Sequence, residues 1–371
     1  MINRFKVLIV VVITTVTLFA SDPSPILKTG FKKDFLIGVA INRNQADGTD
    51  SKGQALILKN FNAITSEQDL KWGLIHPKPT IYSFSKADDY VNFGVQNNLF
   101  VVGHTLVWHS NAPAWIFVDD NGKDLTRDAL LKRMKEHINT VVGRYKGKIA
   151  GWDVVNEAFE DNGTMRKSKW FQIIGEDYIE KAFEYAHNAD PKAELYYNDY
   201  NLYLNAKRNA VIKLIQRLQA KKIPIHAVGE QAHYSLVIPT VQKIEECIKD
   251  FSKLGIKVNF TELDITALPN KKKEITAEVS KIVAYDPLYD PYKKGLPDSV
   301  LLKLAGRYGD IFRVFKENSS TIQRVTFWGL TDGNSWLNGW PMPGRTNYPL
   351  LFDRSYQPKL AILNAILKPI K

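Results

Sequence analysis

The chain has 371 residues, 44% hydrophobic and 11% aromatic, a globular composition with enough apolar surface for a large core. Its formal charge of +11 raises nucleic acid as a partner, but the basic residues are scattered apart from Lys271-Lys272-Lys273, and no arginine-rich helix or zinc-finger spacing occurs. A solvated basic surface and no nucleic-acid partner are therefore expected, and the single Cys247, in the amphipathic segment IEECIKDF, excludes an intrachain disulfide.

Taken in chain order, the first segment stands apart. Arg4 and Lys6 precede an apolar run, Val7 to Phe19, followed by Ala20. A basic start, a short hydrophobic stretch and a small residue read as a signal peptide over 1–20. The run is shorter than the roughly 20 residues that span a bilayer, so no stable membrane insertion is expected after cleavage. The product would be secreted or periplasmic, with residues 21–371 forming a single domain.

Runs rich in Val, Ile, Tyr and Phe then alternate with amphipathic segments. The candidate strands are 35–41, 61–67, 99–105, 149–157, 194–199, 227–233, 258–263 and 325–330. Helical spacing runs from Leu125 to Tyr145 behind Asp124 or Thr126 as cap, from Trp170 to His187, and from Asn205 to Lys222. Eight strands alternating with helices predict an α/β fold with a parallel sheet, closed into a (β/α)8 TIM barrel. The rival, an open doubly wound sheet, usually carries a glycine-rich turn after its first strand; INRNQADG is not one. A monomer without a cofactor is expected.

A barrel concentrates function at the C-terminal ends of its strands. Here those ends carry Glu67, His104, Asn156-Glu157, Asn198-Asp199, His233, Glu262 and Trp328. Any one polar strand end at a solvent boundary is unremarkable; seven polar or aromatic strand ends on one rim suggest a site. His104, His109 and His233 raise a metal, yet no HExxH or CxxC spacing occurs, and no GxSxG elbow supports a serine nucleophile. No metal is expected. Two glutamates on strand ends suit glycoside hydrolysis, in which a carboxylic acid protonates the departing oxygen and a carboxylate works from the other face of the sugar. Tryptophans 72, 108, 115, 152, 328, 336 and 340 supply flat rings that stack on pyranose C–H faces, although any single one could equally be core.

GHTLVWHS, WDVVNEAF, LYYNDYN, TELDI and FWGLTDGNSWLN, in this order, resemble glycoside hydrolase family 10, the endo-β-1,4-xylanases. The likeness runs from about Phe35 to Ile366. It implies a (β/α)8 barrel that hydrolyses xylan and xylo-oligosaccharides with retention of configuration and without a metal. Glu157 matches the family's general acid/base and Glu262 its nucleophile. His233 matches the histidine that bonds the nucleophile, Asp264 the carboxylate that orients it, and Asn156 the asparagine at the sugar 2-hydroxyl. Glu67, Lys71, His104 and Trp108 match residues on the non-reducing side of the cut, and Trp328 and Trp336 those around the sugar at the scissile bond. Asn198 is placed with the substrate contacts, and Tyr200 with Asn201 on the leaving side.

Three positions depart from the family pattern. Gln68 stands where Asn is usual, Gly73 where Glu is frequent, and Asn111 where Gln is usual. Gln68 and Asn111 are expected to touch sugar with altered reach. The stretch 268–300 is expected to form a loop over the leaving side, with Tyr285, Tyr289 and Tyr292 extending the cleft. Two other readings stay open: a β-1,4-glucanase on the same barrel, and a carbohydrate-binding protein without catalysis.

Overall fold

A computed structural model describes residues 25–269 and 281–368. The signal segment 1–20, the lysine run 271–273 and part of the 268–300 stretch lie outside the described residues. Among the described residues nine strands follow one another: β1 (Leu36–Ile41), β2 (Ala63–Ser66), β3 (Phe100–Trp108), β4 (Gly151–Asn156), β5 (Glu194–Asp199), β6 (Ala227–Glu230), β7 (His233–Ser235), β8 (Lys257–Thr266) and β9 (Ile322–Phe327). Neighbours pair in parallel in the order β6-β5-β4-β3-β2-β1-β9-β8, and β6 pairs again with β8. Eight strands thus close into a (β/α)8 barrel. The short β7 lies against β8, opposing His233 to Asp264.

The closure explains the composition of the strands. β4 (GWDVVN) is buried along its whole length, as are the four residues of β2 and of β6. A parallel sheet covered on one side by helices and filled on the other by its own side chains needs apolar residues on both faces. The covering helices include Ser51–Asn60, Ser85–Gln96, Arg127–Arg144, Asn205–Ala220, Val241–Ser252 and Asp298–Glu317. Arg127–Arg144 shows why such a segment is helical. Thr126 accepts a hydrogen bond from the Ala129 backbone at its start, and Leu130, Met134, Ile138 and Val141 recur on the buried face.

The observed elements differ from the sequence expectation in three places that bear on the site. The segment read as one helix from Trp170 to His187 is two, Lys169–Ile174 and Tyr178–Ala189, broken at Gly175 with φ 96°. Both pieces bury an apolar face, so the periodicity runs on across the break. The third strand continues to Trp108, so His104 sits within β3 and Trp108 ends it. The sixth strand stops at Glu230, and His233 begins the separate β7.

Register shifts interrupt the β3–β4 pairing between His104 and Val107 and the β8–β9 pairing between Phe260 and Leu263. Irregularities of this kind re-aim side chains, and both lie beside functional positions. Among the described residues, no helix is long and apolar enough to cross a membrane.

Candidate active site

The strands deliver one cleft at the C-terminal mouth of the barrel. Its lining combines Gln68, Lys71, His104, Trp108, Asn111, Asn156, Glu157, Gln231, His233, Glu262, Trp328 and Trp336. β4 ends at Asn156, and Glu157 turns away from the strand with φ 58° while its N–H still donates to the Asn198 carbonyl. Glu262 sits within β8, its N–H donating to the Gln231 carbonyl.

The two glutamates are almost closed to solvent, with 6% of Glu157 and 5% of Glu262 exposed. Their surroundings nevertheless treat them oppositely. Burial raises the pKa of Glu157 above the ordinary carboxylate range. The Gln231 amide (2.9 Å) and the Trp108 indole N–H (2.9 Å) pull it down in part, and the charges of Asp199 and Glu262 push it up. Burial would raise Glu262 as well. A hydrogen bond from His233, the fields of His104 and His233, and the Asn198 amide overcome that and hold it below the usual value.

The His233 ring explains much of the contrast. Its Nε2 lies 3.2 Å from Glu262 Oε2 and its Nδ1 3.1 Å from Asp264 Oδ1. Burial opposes its charge, but the two carboxylates prevail and push its pKa up to about 10, so the ring is an imidazolium at neutral pH. Trp336 donates its indole N–H to the other oxygen of Asp264 at 2.7 Å, which ties a wall of the cleft to the same array. The His104 ring is fixed by Asp153 at 2.9 Å and meets Trp328 edge-on.

A short amide bridge joins the glutamates. Asn156 Nδ2 donates to Glu157 Oε1 at 3.1 Å, while Asn198 Nδ2 lies 2.9 Å from both Asn156 Oδ1 and Glu262 Oε1. Asn198 is oriented from behind by the Thr261 hydroxyl at 2.6 Å. Gly229 leaves the room for it: a Cβ there would stand 2.2 Å from Asn198 Oδ1.

Lys71 is buried with its ammonium 5.1 Å from the centre of the Trp108 ring. Burial depresses its pKa, and Glu262, Glu67 and Glu157 favour its charge. Glu67, half-buried, is not among the lining residues; burial pushes it up to about 7 against the pull of Lys71.

Three expectations change in the structure. Asn198, placed with the sugar contacts from sequence, is fully buried under the cleft and braces the glutamates. Tyr200 is buried too, outside the lining, with its hydroxyl bonded to Arg166 at 2.8 Å. Tyr285, Tyr289 and Tyr292, expected to extend the cleft, are not among the residues found lining it, and Tyr285 bonds Asp290 at 3.1 Å. Of the tryptophans, Trp72 and Trp152 belong to the core, whereas Trp340 stacks on Trp336 at 4.6 Å. Gln231 was missed, although its amide in AVGEQAH, two residues before His233, was a readable signal.

The departures Gly73 and Asn111 prove to be neighbours. The Gly73 N–H donates to the Asn111 carbonyl at 2.9 Å, and a Cβ on Gly73 would lie 2.8 Å from that oxygen. Asn111 itself has φ 54°, and its exposed side chain lines the cleft together with Gln68.

Residues 26–369 match the sequence profile of Glycosyl hydrolase family 10. "Endo-1,4-beta-xylanase A" of Xylanibacter ruminicola is 46% identical over 342 residues, covering 92% of this chain and 93% of the relative. "Beta-1,4-xylanase" of Dictyoglomus thermophilum is 41% identical over 339 residues, covering 91% and 89%. A solved structure described as a novel family 10 endoxylanase retrieved from sugarcane soil metagenome superposes with a TM-score of 0.89 at 44% identity, covering 92% of this chain and 99% of that one. Similarity of this extent over a closed barrel with paired glutamates at its mouth means that the chain belongs to glycosyl hydrolase family 10.

Proposed function

We propose that the protein is a secreted endo-1,4-β-xylanase that cuts internal bonds of xylan by a retaining, two-step mechanism. The observation that carries the reading is the opposed tuning of two buried glutamates within one cleft. The names of the relatives support xylan as the substrate.

Glu262, held ionised, attacks the anomeric carbon as nucleophile. Glu157, its pKa raised by burial, gives its proton to the glycosidic oxygen, and the leaving chain departs with a free hydroxyl. The glycosyl ester on Glu262 carries no charge, so a negative charge that helps raise the pKa of Glu157 disappears. Glu157, now a carboxylate, takes a proton from water as the water attacks the ester, and both groups return to their starting states. The amide bridge supports this reading because it ties both carboxyls to one small volume. Asn156, on that bridge, is suited to the sugar 2-hydroxyl. His233 holds Glu262 in place, Asp264 orients His233, and Lys71, His104, Trp108, Gln68, Asn111, Trp328 and Trp336 grip the sugars.

Glu157→Ala and Glu262→Ala should each lower turnover of xylan by about 10²-fold or more, the scale of a general acid or a nucleophile, with oligosaccharide binding retained. Loss of Glu157 should matter less for aryl glycosides whose leaving group needs little protonation. Near-normal turnover of either variant on xylan would overturn the assignment. NMR of the first-formed sugar decides retention, and faster release of reducing ends from carboxymethylcellulose than from xylan would move the substrate to β-glucans.

Export rests on Arg4, Lys6 and the apolar run to Phe19. N-terminal sequencing of the exported protein should begin close to residue 21, and an intact residue 1 would defeat the assignment.

A further inference from the structure

After β4, the chain from Glu157 to Arg166 folds back on itself, Phe159 bridging Met165. Glu157 has φ 58°, a left-handed backbone that residues with side chains adopt rarely. Two contacts hold this turn from opposite sides. Arg166 Nε donates to the Glu157 carbonyl at 3.1 Å, and its Nη2 donates to the Tyr200 hydroxyl at 2.8 Å. The Tyr197 hydroxyl accepts from the Ala158 N–H at 3.0 Å and donates to Asp199 Oδ2 at 2.5 Å.

The anchors are themselves fixed. Asp199 and Lys207 are fully buried and form an ion pair at 2.7 Å, and the Lys207 ammonium lies 3.5 Å from the centre of the Tyr200 ring. Arg166 also reaches Glu160 at 3.4 Å, and its backbone N–H donates to the Ala158 carbonyl. None of Arg166, Tyr197, Asp199, Tyr200 and Lys207 is among the residues that line the cleft, and Arg166 reaches Glu157 through its carbonyl.

We propose that Arg166 is a positioning residue for Glu157: its guanidinium clasps the Glu157 carbonyl and, braced on Tyr200, holds the left-handed turn that aims the carboxyl at the glycosidic oxygen. The inference rests on reading Glu157 as the acid. A planar fork can bridge a carbonyl and a hydroxyl at once, which the single ammonium of lysine does less well. A carboxyl misplaced by a fraction of an ångström loses proton transfer while the nucleophile keeps its geometry. The defect must therefore scale with the need to protonate the leaving group.

Charge provides a second signature. Glu157 faces Lys71 from the segment after β2, Asp199 and Tyr200 from β5 and its end, Glu262 from β8 and Arg166 from its own loop. Its neutral partners are Trp108, Asn156 and Gln231. Arg166 and Lys71 are the cations of the set, and cations favour the carboxylate. Removing Arg166 lets the pKa of Glu157 rise, so the acid stays protonated to higher pH.

The test uses the full chain with Arg166→Met and Arg166→Lys, and Glu157→Ala as the control. We expect kcat/KM on xylotetraose to fall about 30-fold in Arg166→Met, within the range of general acid catalysis. On a dinitrophenyl xylobioside the loss should stay under about threefold, because that leaving group needs little protonation. The basic limb of the kcat/KM profile should move to higher pH. Arg166→Lys should recover part of the loss on xylotetraose with the same asymmetry, and it decides the matter should the methionine variant not fold. Equal losses on both substrates with an unmoved basic limb, or no loss at all, would overturn the proposal. Should Glu157→Ala itself show no dependence on the leaving group, the acid assignment fails; should it show the dependence while the Arg166 variants do not, only the positioning role fails.

Discussion

At the scale of single residues, Gly73 has the most specific consequence. It lies in the short helix Trp72–Ile75, where alanine normally improves helix stability. Here a Cβ would press on the Asn111 carbonyl at 2.8 Å, a backbone atom that can yield only by moving its own segment. That segment carries the Asn111 side chain into the cleft. Gly73→Ala should therefore weaken the 2.9 Å bond between Gly73 and Asn111 and displace the amide. A loss of about 1 kcal/mol in sugar binding corresponds to roughly a fivefold rise in KM for xylo-oligosaccharides. Because Glu157 and Glu262 are not touched, kcat should change little. Steady-state kinetics on oligosaccharides of increasing length checks this, and an unchanged KM at every length would remove Asn111 from the sugar contacts.

At the scale of elements, strands were legible and their ends were not. All eight barrel strands stand where β-branched and aromatic runs placed them, because a strand buried on both faces leaves a continuous apolar trace. Ends are governed by register, to which composition is blind. The reading 99–105 stops β3 short of Trp108, and within the strand His104 and Thr105 are buried, Thr105 bonding the Asp153 carbonyl at 2.8 Å. β6 was carried too far because nothing in AVGEQAH marks the halt at Glu230; the chain crosses there to a new strand. The site followed the same rule. Glu157, Glu262, His233, Asp264 and Trp336 could be named from motif and polarity. The bracing of Asn198, the bond from Gln231 and the clasp of Arg166 depend on which chains lie side by side. Asn198 illustrates the limit: a polar residue at a strand end looks like a contact for ligand, and only Gly229 on the adjacent β6 and Thr261 on β8 show that it is enclosed.

At the scale of the molecule, buried ionisable groups make stability depend on pH in two opposing ways. Glu67 and Glu230 are pushed up to about 7, in both cases by burial first. A carboxyl with a raised folded pKa binds more protons folded than unfolded, so its share of stability falls as pH rises from about 4.5 through 7. The histidine pair between the helix Arg127–Arg144 and the end of Trp72–Ile75 acts in the other direction. His76 and His137 face each other Nδ1 to Nδ1 at 3.3 Å, which requires one donor and one acceptor and leaves no room for two imidazolium rings. His137 stacks on Trp72 at 3.5 Å and His76 on Tyr82 at 3.8 Å. Burial, reinforced by His76, holds the pKa of His137 well below 6.5. Burial depresses His76 too, opposed by the Pro79 carbonyl and aided by Arg133.

For a base depressed in the folded state, stability is fully present above the unfolded pKa near 6.5 and is lost as pH falls below it. His137→Phe preserves the ring stack on Trp72 and removes the titration. At pH 7.5 the variant should melt below the parent, because His76 loses its partner. On acidification the parent gives up the contribution of His137 while the variant has none to give. The difference in Tm should accordingly narrow by about 2–4 °C between pH 7.5 and pH 5. The carboxyl terms are common to both proteins and cancel in the comparison. Differential scanning calorimetry of the pair at four pH values measures the gap directly; a gap that stays constant across the range would show that His137 keeps the same protonation in the folded and unfolded chains, and that burial leaves its titration unaltered.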